Sequence, residues 1–226
     1  MDRNFARALA LVLKHEGGWS DHPADPGGAT MKGVTLANFR RYVKPGATKD
    51  DLRGISDAQL ATVYRRFYWD AVHGAELPDG VDYAVFDFAV NSGPGRAARY
   101  LQGVVGVVQD GRIGPVTLNA TKAMMRATVI NDLCDRRMRF LRGLNTWPSF
   151  GTGWTARVSG VRAAALKLAQ PDAAPVSPAS VGTKEPAAPA PVKPVPAPDA
   201  AEPAKGLAFF LQLITRAIAA WFPGGR

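Results

Sequence analysis

The chain has 226 residues, 46% of them hydrophobic, and a formal net charge of +9. That length and apolar content support one sizeable core, and a basic balance steers a protein toward polyanions. No zinc-finger spacing, glycine-rich phosphate loop or aromatic RNA-binding signature points to nucleic acid, and a single cysteine, Cys134, excludes an intramolecular disulfide.

In chain order, Phe5, Leu9, Val12 and Leu13 recur at helical spacing and predict an amphipathic first helix, stopped by Gly17-Gly18. This segment has no cleavage-site region after it, so it reads as structure and not as a secretory signal. Residues 20–28 are crowded with Asp, Pro and Gly and predict a loop or short hairpin. Ser56-x-x-Gln59 is a capping box that opens a helix through Leu60, Val63, Tyr64 and Phe67. Val81, Ala84, Val85 and Phe88 predict another, stopped at residues 91–95. A helix over about 96–104 leads to a turn at 109–115. A long helix is expected over 127–144, with Ile130, Leu133, Arg137, Phe140, Leu141 and Leu144 in register, and a last one over 154–169. Cys134 lies on the apolar face of the long helix and reads as a small core residue.

Composition changes at Pro171. From there to Ala204, 10 of 34 residues are Pro and 10 are Ala, too little apolar surface to join a core. The folded part therefore ends near Gln170 and carries about +8 of the charge, since the tail from 171 onward holds five basic and four acidic residues. After the linker, Leu207, Phe210, Leu211, Ile214, Ile218 and Trp221 share one helical face. Residues 207–222 would make a helix of roughly 24 Å, short of a ~30 Å hydrocarbon core. With Arg216 on the polar side, residues 205–226 read first as an in-plane amphipathic helix on anionic membrane and second as a short transmembrane anchor.

The chemistry concentrates near the start. Glu16 lies eleven positions after Phe5 and continues the apolar face of the first helix. Partial burial and the negative end of the helix dipole would both favour its protonated form. A carboxylic acid kept neutral near neutral pH is what a general acid of glycoside cleavage requires. Spacing alone also fits an ion-paired glutamate at a helix end, and both readings stand at this point. Asp25, in the turn-rich loop, is placed to serve as a second carboxylate, but Asp-Pro-Gly-Gly is also a common turn sequence.

The run from Lys14 to Thr35, with Glu16-Gly17-Gly18 and Asp25-Pro26-Gly27-Gly28-Ala29-Thr30 inside it, resembles the signature of the glycoside hydrolase family 108 muramidases. The resemblance implies a lysozyme-like, mainly α fold of two lobes with a small irregular β region near the N-terminus and the glycan cleft between the lobes. It makes Glu16 the catalytic acid. The Glu-x8-Asp spacing is also similar to that of phage-type lysozymes, which puts their Asp on Asp25. Those enzymes place a Thr after five further residues; here Thr30 follows after four, and it is carried as the third catalytic candidate. A second block, residues 86–98 with Leu101-Gln102 and 110–117, resembles the predicted peptidoglycan domain that follows these muramidases.

The expected organisation is therefore a muramidase domain at 1–170 (catalytic lobe 5–80, peptidoglycan-binding lobe 81–170), a Pro/Ala linker at 171–204 and the amphipathic helix at 205–226. The resemblance implies cleavage of the β-1,4 bond between N-acetylmuramic acid and N-acetylglucosamine in peptidoglycan, with a phage-type endolysin as first choice of role. A lytic transglycosylase, a secretion-assisting muramidase and a non-catalytic peptidoglycan-binding module are the alternatives. Asn91 is a candidate for the N-acetyl groups or, equally, a helix C-cap. Tyr68 and Trp69, like Tyr64, offer stacking faces for sugar rings or else core packing. No cofactor or metal is expected, nor a nucleic-acid partner. A monomer is expected, made in the cytoplasm and acting in the periplasm or at the wall, with membrane contact through 205–226.

Overall fold

The computed structural model describes residues 4–21 and 28–170. Asp25, the linker and the amphipathic tail all lie outside the described residues. Within them the architecture is mainly α with one small antiparallel sheet, as expected.

Helix α1 (Phe5–Leu13) buries Phe5, Ala8, Leu9 and Val12, the predicted stripe. It ends before Gly17-Gly18. Bonds from His15 N to Val12 O (2.9 Å) and from Glu16 N to Leu13 O (3.3 Å) continue the chain as a tight turn, so Glu16 stands just past the helix and not in its last turn. The sheet runs β1 (Trp19–Ser20), β2 (Thr30–Met31), β3 (Val34–Thr35), with Trp19 opposite Met31 and Met31 opposite Val34. Lys32 (φ 46°) and Gly33 (φ 77°) form the two-residue turn between β2 and β3. Positive φ at both positions matches the twist of a tight hairpin, and glycine takes it without strain.

Two short helices follow that the periodicity did not announce, α2 (Leu36–Tyr42) and α3 (Lys49–Arg53). Each is opened by a threonine N-cap: Thr35 Oγ1 accepts from Asn38 N, and Thr48 forms a capping box with Asp51. Helix α4 (Asp57–Tyr64) opens on the predicted Ser56/Gln59 box. It passes into a π-helical turn (Arg65–Trp69), a widened turn of a kind often found at functional sites.

The rest is α5 (Val81–Ser92), α6 (Pro94–Val105), α7 (Pro115–Ala123), α8 (Arg126–Arg142) and α9 (Trp147–Ala169). Helix α7 was expected only as the end of a turn; Pro115 opens it at a position where the missing N–H is no loss. Helix α9 begins at Trp147, seven residues before the expected start. Pro148 and Gly151 disguise that first stretch, yet Pro is tolerated in a first turn, and Gly151 lets the backbone approach the Trp147 ring. α5 is buried along almost its whole length and packs on α1, α6, α8 and α9, while α8 and α9 lie against each other. The buried apolar residues form one cluster from Phe5 to Ala165, which the 5–80 and 81–170 segments share.

Candidate active site

Glu16 is carried inward by the turn after α1, and its side chain is 2% exposed. The tip of the β2–β3 hairpin closes over one side. Tyr64 Oη donates to Lys32 O (2.9 Å) and pins that tip. A Cβ on Gly33 would stand 2.4 Å from Tyr64 Oη and 3.0 Å from Glu16 Oε2, so only glycine allows the turn to approach the carboxyl this closely. Tyr64 and Tyr68, with ring centroids 5.6 Å apart, stand beside it. Burial, and after it the charge of Glu16, pushes both phenols above their usual range, so they act as neutral hydroxyls.

On its other side Glu16 meets a chain of buried charges. Arg157, from α9, directs Nη1 and Nη2 at Glu16 Oε1, both at 3.3 Å. The same guanidinium holds Asp87 of α5 through Nε (3.2 Å to each carboxylate oxygen) and Nη2 (2.9 Å to Oδ2). Asp87 Oδ1 also accepts from Arg137 Nη1 of α8 at 2.7 Å. Two guanidiniums thus serve two carboxylates with almost no water nearby.

The carboxylates respond in opposite directions. Burial raises the Glu16 pKa; Arg157 opposes that shift, the Asp87 charge adds to it, and the balance stays upward. Burial would also raise Asp87, but Arg157 and Arg137 together hold it down to about 2. Two acids whose surroundings push their pKa values apart are the signature of divided roles. Asp87 is therefore the more readily ionised of the two, and Glu16 the one that holds its proton to higher pH. The His15 pKa is lowered by desolvation first and by Arg157 second.

The other candidates are scattered. Thr30 is fully buried, and its hydroxyl donates to Gly28 O at 3.1 Å, which makes it a hairpin residue with no face open to a glycan. Thr35, the next threonine along, caps α2. Trp69 is a correction: its ring is 0% exposed, edge-on to Phe5 (5.5 Å) and Phe86 (5.2 Å), and packs the core where no sugar can stack. Tyr68 is half-buried beside Glu16 and keeps its place near the site. Asn91 lies in the last turn of α5, whose C-cap is Gly93. Its Oδ1 accepts from Ser92 Oγ (3.0 Å), and its buried Nδ2 has no partner among the described residues.

Arg157, Asp87 and Arg137 were missed as site residues, and a signal for them was present. Each charge sits in register with an apolar helical stripe: Asp87 with Tyr83 and Ala84, Arg137 with Leu133 and Leu141, Arg157 with Trp154 and Val161. Charges on core faces need partners, and three such positions on three helices imply one another. No His/Cys/Asp/Glu group suited to a metal occurs among the described residues. A cavity of about 520 Å³ is lined by Asn4, Arg7, Asp79, Asp82 and Arg126. Asp82 there is also raised by burial, but its oxygens accept from Gly80 N, Tyr83 N and Asn4 Nδ2, while Arg126 pairs with Asp79. That cavity therefore offers acids already held by hydrogen bonds or an ion pair.

Residues 9–93 match the glycosyl hydrolase 108 family. Among solved structures, SagA of Brucella abortus is 45% identical, with a TM-score of 0.68 over 76% of this chain and 99% of SagA. The chain belongs to the glycosyl hydrolase 108 family. It is accordingly a glycosidase. No curated protein matches it.

Proposed function

We propose that the protein cleaves the β-1,4 bond between N-acetylmuramic acid and N-acetylglucosamine of peptidoglycan, with Glu16 as the general acid. The family supports a glycosidase that acts on peptidoglycan. One observation carries the assignment of the acid: Glu16, inside the matched segment, is a nearly dry carboxyl with a raised pKa. Because Arg157 engages Oε1, the proton belongs on Oε2, the oxygen facing the space that Gly33 leaves free of a Cβ. Transfer of that proton to the glycosidic oxygen lets the bond to C1 break with a neutral leaving group. Water then adds to the cation-like sugar carbon and gives up a proton, with Asp25 as the proposed second carboxylate.

Digestion of purified peptidoglycan by the wild type and by Glu16→Gln tests this. The variant should lose on the order of a hundredfold or more in rate while remaining folded. Near-wild-type turnover by a folded variant would remove Glu16 from the mechanism. Mass spectrometry of the wild-type products should show reducing N-acetylmuramic acid ends; anhydro ends would reassign the enzyme as a lytic transglycosylase. In the same proposal the enzyme works in an endolysin-like lytic setting and residues 205–226 tether it to anionic membrane. The apolar periodicity from Leu207 to Trp221 and the Pro/Ala-rich stretch before it support that tether.

A further inference from the structure

Arg157 is a strange companion for a general acid. A guanidinium that gripped Glu16 by its two-pronged edge would form the strongest kind of ion pair. Such a pair would hold the carboxyl ionised, unable to donate. The structure shows a different division. Asp87 takes the Nε–Nη2 edge with both oxygens (2.9–3.2 Å), and Glu16 receives only the remaining end, on a single oxygen, with both contacts at 3.3 Å. Asp87 is itself pinned from the far side by Arg137 Nη1 at 2.7 Å, and the Arg137 guanidinium lies over the Phe88 ring, 5.1 Å from its centroid.

We infer that Asp87 is a positioning residue for the acid: anchored by Arg137, it occupies the two-pronged edge of Arg157 and withholds it from Glu16, leaving Glu16 held in place but free to carry a proton. This inference rests on Glu16 being the acid and adds the regulation of that same site. Its chemistry is general. Arg157 supplies two donors that orient Oε1, while the negative charge of Asp87 offsets most of the cation that would otherwise favour ionised Glu16. Phe86 and Phe88, on either side of Asp87, are themselves fully buried, so little water screens the exchange.

The charged and titratable groups around Glu16 can be named. Lys14 and His15 precede it in the chain, and Tyr64 and Tyr68 face it from α4 and the π-helical turn. Lys32 lies in the hairpin turn, where its carbonyl engages Tyr64 and its ammonium points away to Asp57 at 3.6 Å. Among the described residues, Arg157, Asp87 and Arg137 complete the set from α9, α5 and α8. Of these, Arg157 and Asp87 are the charges that act directly on Glu16.

The pH dependence of kcat/KM on purified peptidoglycan is the test, since its limbs report the free enzyme. Activity that needs protonated Glu16 falls as pH rises through its pKa. Asp87→Asn removes the anion and releases the edge of Arg157, so the upper limb should move to lower pH, by about one unit. Arg137→Lys keeps the cation beside Asp87 and should leave the limb in place, although it too disturbs buried packing. A purely structural role for Asp87 predicts lower stability with an unmoved limb, and that result in a folded Asp87→Asn protein would overturn the inference. Wild-type protein provides a second measurement, independent of whether the variant folds. In labelled protein followed by NMR, the Arg157 Nε–H signal should hold steady while the Glu16 carboxyl titrates. A signal that moves with Glu16 would show Arg157 leaving Asp87 for Glu16 and would also overturn it. Failure of the acid assignment looks different: Glu16→Gln would then keep its turnover.

Discussion

Two buried polar clusters in this molecule obey different rules. Around Gln102 of α6 the cluster turns on one neutral amide. Gln102 Nε2 donates to Asp110 Oδ1 (2.7 Å), Arg112 O (3.0 Å) and Thr117 Oγ1 (3.2 Å), and Gln102 Oε1 accepts from Gly111 N (3.0 Å). Both ends of the amide are satisfied, and the result is a fastening for the 109–115 turn. Around Asp87 the cluster is ionic and less complete. Its contacts to Glu16 are long, and Arg137 Nε lacks a partner among the described residues. A fully satisfied cluster stabilises and holds still. The incomplete one leaves the Glu16 carboxyl less well paired than it could be, which suits the proton-donor role proposed for it.

Several experiments would break or sharpen this contrast. The largest effect should come from Arg157→Leu, which leaves Asp87 with one cation and Glu16 with none of its contacts. Breaking a buried ion pair from one side costs about 3–5 kcal/mol, so denaturant unfolding should show a loss of that order. A loss below about 1 kcal/mol would mean that the charged cluster is as exchangeable as a surface pair.

Gln102→Leu should cost less, about 1–3 kcal/mol, because it takes the amide partner from the Gly111 N–H and from the buried Thr117 Oγ1 without touching Glu16. The pH–rate limbs of that variant should coincide with those of the wild type. A moved limb would show that the two clusters are coupled.

Glu16→Gln should give a smaller effect on stability, with its sign set by pH. The folded pKa of Glu16 is raised above its ordinary 4.5, so its contribution is fully present below that value and is lost as pH rises through the folded pKa. Melting temperatures of variant and wild type should therefore separate in favour of the variant as pH rises. Asp87 works the other way: its contribution is present above its ordinary 3.8 and is lost as pH falls toward about 2, in both proteins. A variant that lost ground against the wild type at high pH would show that ionised Glu16 is stabilised in the fold.

The smallest effect is expected from ending the chain at Gln170. The 1–170 protein should fold and digest purified wall much as the full chain does, while killing of intact cells drops, because the proposed tether is gone. Wall digestion lost together with killing would place residues beyond 170 in the enzyme itself.

Much of this site was readable before any coordinates. The Phe5–Val12 stripe forecasts a buried face, which α1 shows, whereas Glu16 reaches its 2% exposure through the turn after the helix and not through the helical register that suggested its burial. Ser56 and Gln59 announce a helix start through two reciprocal hydrogen bonds that involve only near neighbours. Such signals are local, and local physics is written directly into residue order. The misses are of another kind. Trp69 has the residue type of a sugar platform, but the packing of Phe5 and Phe86, from two other helices, makes it core. Thr30 sits almost at the spacing of a catalytic threonine, but the hairpin turns it inward onto Gly28.

By itself, then, the sequence determined the family and the helical class, because periodicity, capping and a contiguous motif are properties of neighbouring residues. Only the tertiary structure decided which charges surround Glu16. Residues 16, 87, 137 and 157 lie on four separate segments, and no spacing rule relates them. Their pairing follows from the way α5, α8 and α9 pack against the turn after α1, where charges buried together must settle among themselves which is shared and which is held.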